Sequence, residues 1–321
     1  PPFPKNAPRN RLGLAQWLTQ PDHPLMARVT VNRFWQLMFG RGLVETSDNF
    51  GSQGTPPSHP ELLDFLARDF VERGWNVKDL LKTIALSATY RQASRVTESD
   101  LQQDSYNLML ARMTPRRLTA EMIRDQALFC GGLLVERIGG PSVKPYQPDG
   151  LWEVAMGRPH YDRAKGDDLY RRTLYTFWKR TVPHPQLAGF DAADRSVCTV
   201  RRQQTSTPLQ ALALLNDPQI VEAARGFGVR MLKEGGKTST DQSAWAFRLA
   251  AGRAASPREI AALERLFKEQ QAEFARDPKS AAALLGVGER KPDAALPAPD
   301  QAAAAIVALA ILNHDAVINR R

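Results

Sequence analysis

The chain has 321 residues, of which 43% are hydrophobic and 24% charged, and its formal net charge is +9. That is enough apolar material for a sizeable core, in one large domain or two ordinary ones, with charge at the usual globular share. There is no apolar run of about 18 residues, which excludes a membrane-spanning helix, and neither cysteine lies in a CxxC or CxxCH pattern, which excludes a zinc ribbon, a redox pair and covalent haem attachment. The basic balance favours anionic partners without choosing among them. Cys130 and Cys198 remain open as a disulfide pair or as two separate thiols.

The opening stretch, PPFPKNAPRN, lacks the apolar centre of a signal peptide, and no Met begins the chain. The chain is expected to start inside a longer protein or after processing. Helices are predicted near 11–19 and 24–39, the second ending at Gly40. Residues 40–58 read as a long polar loop. Ser58-His59-Pro60-Glu61 has the spacing of a capping box, with Pro60 in the first turn. It opens a helix over 59–72 with Leu62, Phe65, Leu66 and Phe70 on one face. Asn76 caps a helix near 77–89 carrying Leu80, Leu81, Ile84 and Leu86, and another spans 119–130 before Gly131-Gly132.

Residues 139–168 mix Gly, Pro, aromatics and charge and read as irregular. Tyr170 to Trp178 is rich in β-formers and reads as one strand or an extended buried segment. Thr207-Pro208-Leu209-Gln210 and Ser256-Pro257-Arg258-Glu259 repeat the capping spacing, and Asp217-Pro218 is a shorter version. Helices are therefore expected near 208–215, 218–233, 242–251, 257–275 (with Ile260, Leu263 and Phe267 inward) and 301–313. Residues 277–300 are Ala- and Pro-rich and read as a mobile linker or an excursion from the fold. The expected fold is mostly α, an irregular multi-helix bundle with long ordered loops and at most a minor extended element. It divides as a main helical domain over 1–216 and a C-terminal helical subdomain over 217–321 packed on it, or forms a single domain.

The block from Phe190 to Asp217 concentrates chemistry-bearing side chains: Asp191, Asp194, Arg195, Arg201, Arg202, Gln203, Gln204, Thr205 and Gln210. One reading is an anion site, with arginines presenting forked donors to a carboxylate, sulfate or phosphate. The other is an ion-pair network fastening the loop to the helices. A second cluster is Asn32-Arg33-Phe34-Trp35 with the loop Asp48, Asn49, Gly51, Gln53 and Gly54. It reads as a pocket or weak hard-cation site, or as Arg33 pairing with a loop acid above a core Trp35. Proposed ligand contacts are thus Asn32, Arg33, Asp191, Asp194, Arg195, Arg201, Arg202 and Gln210, with no metal and no catalytic residue assigned. His184, between Pro183 and Pro185, reads as a group held towards a partner. Aromatics Trp152, Tyr161, Tyr170, Tyr175, Phe177 and Trp178 interleave with Arg158, Arg163, Arg171, Arg172, Lys179 and Arg180. That mixture stacks on bases or sugars, or snorkels over a core edge. Without a recognition helix, RNP signature or zinc finger, nucleic acid is not the expected partner.

Several segments together resemble a known family. ARVTVNRFWQLMFGRGLVETSDNFGSQGTPPSHPELLDFLARDFVERGWNVKDLLKTIALSATYRQ (Ala27 to Gln92), AEMIRDQAL (Ala120 to Leu128) and RRTLYTFWKRTVPHPQLAGFDAADRSVCTVRRQQTSTPLQALALLND (Arg171 to Asp217) are similar to the planctomycete-type C-terminal domain of unknown function found in exported cytochrome-c-domain proteins. AAAAIVALAILNHDAVI fits its closing helix, although Asn313-His314-Asp315 stands where the family tends to show Asn followed by Glu-Phe. The resemblance implies an extracytoplasmic location, periplasmic or at the cell surface. It also implies other domains of the same polypeptide as partners, among them a cytochrome-c-like domain that would carry the haem, with no cofactor in this chain. The expected function is a binding or scaffold domain recognising an anionic ligand such as an acidic or sulfated polysaccharide. The alternatives are an enzyme, redox or hydrolytic, with a site at the 190–217 block, and a structural part of a surface assembly.

Overall fold

Proline sits at helix starts because the first-turn N–H has no intrahelical partner to lose. In the computed structural model, which describes residues 1–154 and 160–320, six helices of eight or more residues begin on proline or carry it in the first turn. Arg158 lies outside the described residues. The fold is mostly α, and the chain divides into two compact units, Pro1–Arg116 and Arg117–Arg320. The expected junction at 216/217 falls inside the second unit. There Asp217 ends one helix and caps the next, so no linker separates them.

The first unit holds α1 (Arg11–Leu18), α2 (Met26–Phe39), α3 (Pro60–Glu72), α4 (Val77–Leu86) and α5 (Glu98–Asp104). Helix α2 stops at Gly40, whose φ of +87° is the left-handed conformation that glycine adopts without steric cost. The capping box expected at Ser58 does not form. His59 occupies the N-cap without a side-chain bond, and the Ser58 hydroxyl meets the His59 ring instead. The inward face of α3 is also rotated from the expected one. Leu63, Leu66, Ala67 and Phe70 are buried, while Phe65 points outward. Trp35, stacked on Phe39 with ring centroids 4.2 Å apart, packs with Val31, Leu66, Phe70, Leu80 and Ile84 into the core of this unit.

The second unit holds α6 (Ala120–Cys130), α7 (Pro185–Gly189), α8 (Pro208–Asn216), α9 (Pro218–Glu234), α10 (Ser239–Ala251), α11 (Pro257–Arg276), α12 (Pro278–Leu285), α13 (Ala298–Leu312) and α14 (Asp315–Ile318). Two two-residue strands, β1 (Arg116–Arg117) and β2 (Asn319–Arg320), pair near its start and end. Its centre is the contact of α9 with the alanine-rich α13. Gly228 makes it possible: a Cβ there would lie 2.7 Å from the Ala304 carbonyl carbon. Residues 277–300 are not a bare linker. Asp277 accepts from the N–H groups of Lys279 and Ser280 to start α12, and Ala281 and Leu285 are buried against Ala302.

The stretch from Tyr170 to Trp178 forms no regular strand: it is extended with two short 3-10 turns, buries Arg171, Thr173 and Thr176, exposes Arg172, Leu174 and Phe177, and makes only isolated bridges, from Arg171 to Val135 and from Thr176 to Val143. Buried backbone groups need partners, and here two fully buried guanidiniums supply them. Arg124 donates to the carbonyls of Leu169 (2.8 Å) and Arg171 (3.0 Å), to the Thr173 hydroxyl and to the Gln219 amide oxygen. Arg171 donates to the carbonyls of Arg137, Gly139 and Pro141 and stacks on Tyr175. No carboxylate among the described residues hydrogen-bonds either group, and burial lowers the Arg124 pKa to about 10. These two side chains fix the backbone at 137–141 and 169–173, on either side of Tyr146 to Asp149, which line the cleft described next.

Candidate functional site

The 191–207 loop has a frame and an open edge. In the frame, the Asp191 carboxylate accepts from the Arg117 guanidinium and from the Thr205 N–H (2.8 Å) and hydroxyl. Burial alone would raise this carboxyl; the Thr205 bonds and the Arg117 charge together bring it below its ordinary value. Gln210 belongs to the same frame. Its amide nitrogen donates to the Gly189 carbonyl and the Thr205 hydroxyl, and its oxygen accepts from the Thr207 N–H, closing the capping box of α8. Asp194 accepts from the Ser196 N–H within a local turn, and Arg202 holds Glu121. Asp191 and Arg195 adopt φ of +62° and +63°, a conformation costly for non-glycine residues unless their surroundings fix it.

On the open edge stand Arg195 and Arg201. Both are exposed, and neither has a carboxylate partner among the described residues. The Arg195 guanidinium lies 4.7 Å from the centre of the Trp178 ring, which leaves its N–H edge available. The ion-pair reading thus describes Asp191 and Arg202, while Arg195 and Arg201 are left for solvent or a ligand.

Asn32 and Arg33 belong to the first unit. Asn32 is fully buried, and its carboxamide accepts from the Val44 N–H at 2.8 Å and donates to the Val44 carbonyl at 3.0 Å. It pins the start of the 40–58 loop. Arg33 is exposed with no ion pair among the described residues, and Trp35 is core. Asp48 is exposed, and among the described residues no group of three His, Cys, Asp or Glu could hold a metal ion.

A cleft of about 670 Å³ opens in the second unit, a size typical of ligand sites. Its apolar walls include Tyr146, Pro148, Pro185, Phe190, Leu209 and Ala213; its polar lining is Gln147, Asp149, Arg163, Gln186, Gln210, Asn216 and Asp217. The arginine-bearing loop leaves it after Phe190 and returns to it at Leu209, but of the block residues named from sequence only Gln210 lines it. Gln186 is 8% exposed, and neither its amide oxygen nor its nitrogen has a hydrogen-bond partner among the described residues. The Gln147 amide nitrogen is likewise unpaired. Asp217 caps α9 by accepting from the Gln219 and Ile220 N–H groups; burial nevertheless raises its carboxyl above the ordinary value.

His184 is not held outward. It is buried, its Nε2 donates to the Tyr146 carbonyl at 2.7 Å, and burial lowers its pKa to about 4. It stiffens the cleft wall rather than meeting a partner. Of the aromatic and basic side chains named there, Trp152 is buried, with the Lys179 ammonium 4.5 Å from its ring centre, and Arg171 is wholly enclosed, whereas Arg163, Arg172, Phe177 and Arg180 are exposed. Both thiols are free; Cys130 is buried, with its pKa pushed up to about 12, and Cys198 is exposed on the loop.

Sequence reasoning missed Gln186, Gln147 and Asp149. Pro183-His184-Pro185 marked the stiff segment beside Gln186, but nothing local distinguishes a glutamine that will be buried without a partner. No helix among the described residues is long and apolar enough to cross a membrane. No curated protein and no solved structure matches the chain. Residues 10–267 do match a family, and the chain therefore belongs to PSD1, described as a protein of unknown function (DUF1553).

Proposed function

We propose that this domain is a binding or scaffold module whose 191–207 loop takes an anionic ligand, with an acidic or sulfated glycan as its chemistry. The observation that carries the reading is the division of labour within the loop. Asp191 is engaged in the frame and Asp194 accepts within a local turn, whereas Arg195 and Arg201 remain exposed without a carboxylate partner among the described residues. Arginine suits the task because its planar fork matches sulfate and carboxylate geometry. The net charge of +9 adds a long-range attraction. The family resemblance supports work outside the cytoplasm, beside a cytochrome-c-like domain of the same polypeptide.

Titration calorimetry with dextran sulfate and with neutral dextran, at about 0.15 M salt where the screening length is about 8 Å, tests the reading. Only the sulfated polymer should bind, and Arg195→Ser/Arg201→Ser should weaken it severalfold in a folded protein. Equal binding of both polymers, no binding of either, or an unchanged double variant would overturn it.

One observation favours a second reading, a structural part of a surface assembly. Helix α8 exposes Leu209, Leu212 and Leu215 at helical spacing. Concentration-dependent self-association, measured by sedimentation and abolished by Leu212→Lys, would support it; a monomer at all concentrations would count against it.

A further inference from the structure

The chain is basic, with a net charge of +9, but its cleft is not. Among the described residues that line it, the charged ones are Asp149, Arg163 and Asp217. Arg163 is already matched: its guanidinium lies 4.8 Å from the centre of the Tyr146 ring and 4.0 Å from the Glu289 carboxylate. Asp149 is exposed and makes no ion pair among the described residues. Asp217 uses one oxygen only. Its Oδ1 accepts from the Gln219 and Ile220 N–H groups, whereas Oδ2 has no hydrogen bond among the described residues and is not sealed from the cleft. Burial raises this carboxyl, and the positive charge of the buried Arg124 offsets that only in part.

The end of α8 strengthens the negative field. Helices α9, α10 and α11 place Lys233, Arg248 and Arg276 in their last turns, where a cation meets the negative end of the helix dipole; α8 places none. Nor does the backbone complete α8. Pro218 has no N–H, and those of Gln219 and Ile220 go to Asp217, so the last carbonyls of α8 lack the donors that would continue the helix. Ala213, Asn216 and Asp217 bring this end to the cleft. The positive end of α9, which starts at the same place, is already met by Asp217 Oδ1.

We propose that the cleft binds an organic ammonium ion, which donates to Asp217 Oδ2 and Asp149 and lays its apolar body against Pro148, Pro185, Leu209 and Ala213. Charge sets the sign of the ligand. A carboxylate withdrawn from water is costly without a partner, and a cation supplies the one that Asp217 Oδ2 lacks. The volume of about 670 Å³ and the apolar walls suit an organic ion rather than a bare metal. No group of three His, Cys, Asp or Glu among the described residues could hold a metal there. The site takes the opposite charge from the 191–207 loop and does not depend on it.

The test titrates the whole chain with benzylammonium and with benzyl alcohol, which has the same body without the charge, at about 0.15 M salt. Binding is read from the backbone amide resonances of Ala213 and Asn216. Benzylammonium should shift them saturably, and benzyl alcohol should bind at least about tenfold more weakly, the loss expected for a charge-assisted hydrogen bond. Asp217→Asn keeps the cap, because asparagine caps helices as well as aspartate does, and should weaken benzylammonium by about the same factor. Asp149→Asn, at the exposed rim, should weaken it severalfold. Thermal melts show whether each variant folds; if Asp217→Asn does not, Asp149→Asn and the alcohol decide. Benzyl alcohol binding as tightly as benzylammonium would overturn the proposal. So would benzylammonium leaving the two resonances unmoved, or folded variants that bind it as before. Benzylammonium and dextran sulfate are titrated separately, so the cleft and the loop can each fail alone.

Discussion

The two units solve the problem of burying helices in opposite ways. The first fills its centre with large rings: Trp35 stacks on Phe39, and Phe70 meets Trp75 edge to face. The second removes side chains from its centre. Ala302, Ala303, Ala304 and Ala305 on α13 and Gly228 on α9 bring the two helix backbones close together. Aromatic packing tolerates short helices and long loops, because one ring reaches several elements at once. Close backbone approach needs long helices in fixed register, and α9 and α13, at 17 and 15 residues, provide them. Precision in the second unit therefore lies in the main chain, which suits a region whose cleft is lined from α7, α8 and the start of α9.

The contrast can be broken or sharpened by substitution. Trp35→Ala should have the largest effect, about 3–5 kcal/mol lost to an unfilled cavity, read as a shift in denaturant midpoint with amide protection falling within residues 26–86. A loss under about 1 kcal/mol would show that the rings do not hold that unit together. Gly228→Ala comes next. One methyl group pressed against the Ala304 backbone should cost about 1–3 kcal/mol, although alanine is otherwise the better helix residue by about 1 kcal/mol; a stabilised variant in thermal melts would refute the close-approach account.

His184 gives a smaller, graded effect. Its folded pKa is depressed from the ordinary 6.5 to about 4. The unfolded chain therefore takes up a proton that the folded chain refuses across that window. Its contribution is fully present above pH 6.5 and is lost as pH falls towards 4, by at most about 1.4 kcal/mol per pH unit. The slope of stability against pH should flatten in His184→Gln; an identical slope would place the titrating group elsewhere. The smallest pair separates a true cap from an apparent one. Ser256→Ala should cost about 1 kcal/mol, because the serine accepts from the Glu259 N–H. Ser58→Ala should stay within about 0.5 kcal/mol, since no cap bond is formed there.

What was legible in the sequence was local. Thr207, Asp217 and Ser256 cap helices as their spacing requires, because a cap and its proline act within four residues. Helix α12 was hidden by its Ala/Pro composition, although Asp277-Pro278 repeats the Asp217-Pro218 signal. The same holds for the candidate site. The 190–217 block does border the cleft, yet its arginines do not line it, and Gln210, which does, is held as part of the cap of α8. Gln186 could not be singled out, because an unpaired amide is defined by what fails to approach it from distant parts of the chain.

The placement of the two thiols makes the protein its own counter of opening events. Cys198 sits on the exposed loop and Cys130 is sealed in the core of the second unit, its thiolate disfavoured by burial. An alkylating reagent should add one mass increment to the folded chain at once and a second only when that core breathes. The lag between the two increments is then a clock for the α6–α9 core, and a fluorophore on the first thiol would report from the same loop that carries Arg195 and Arg201.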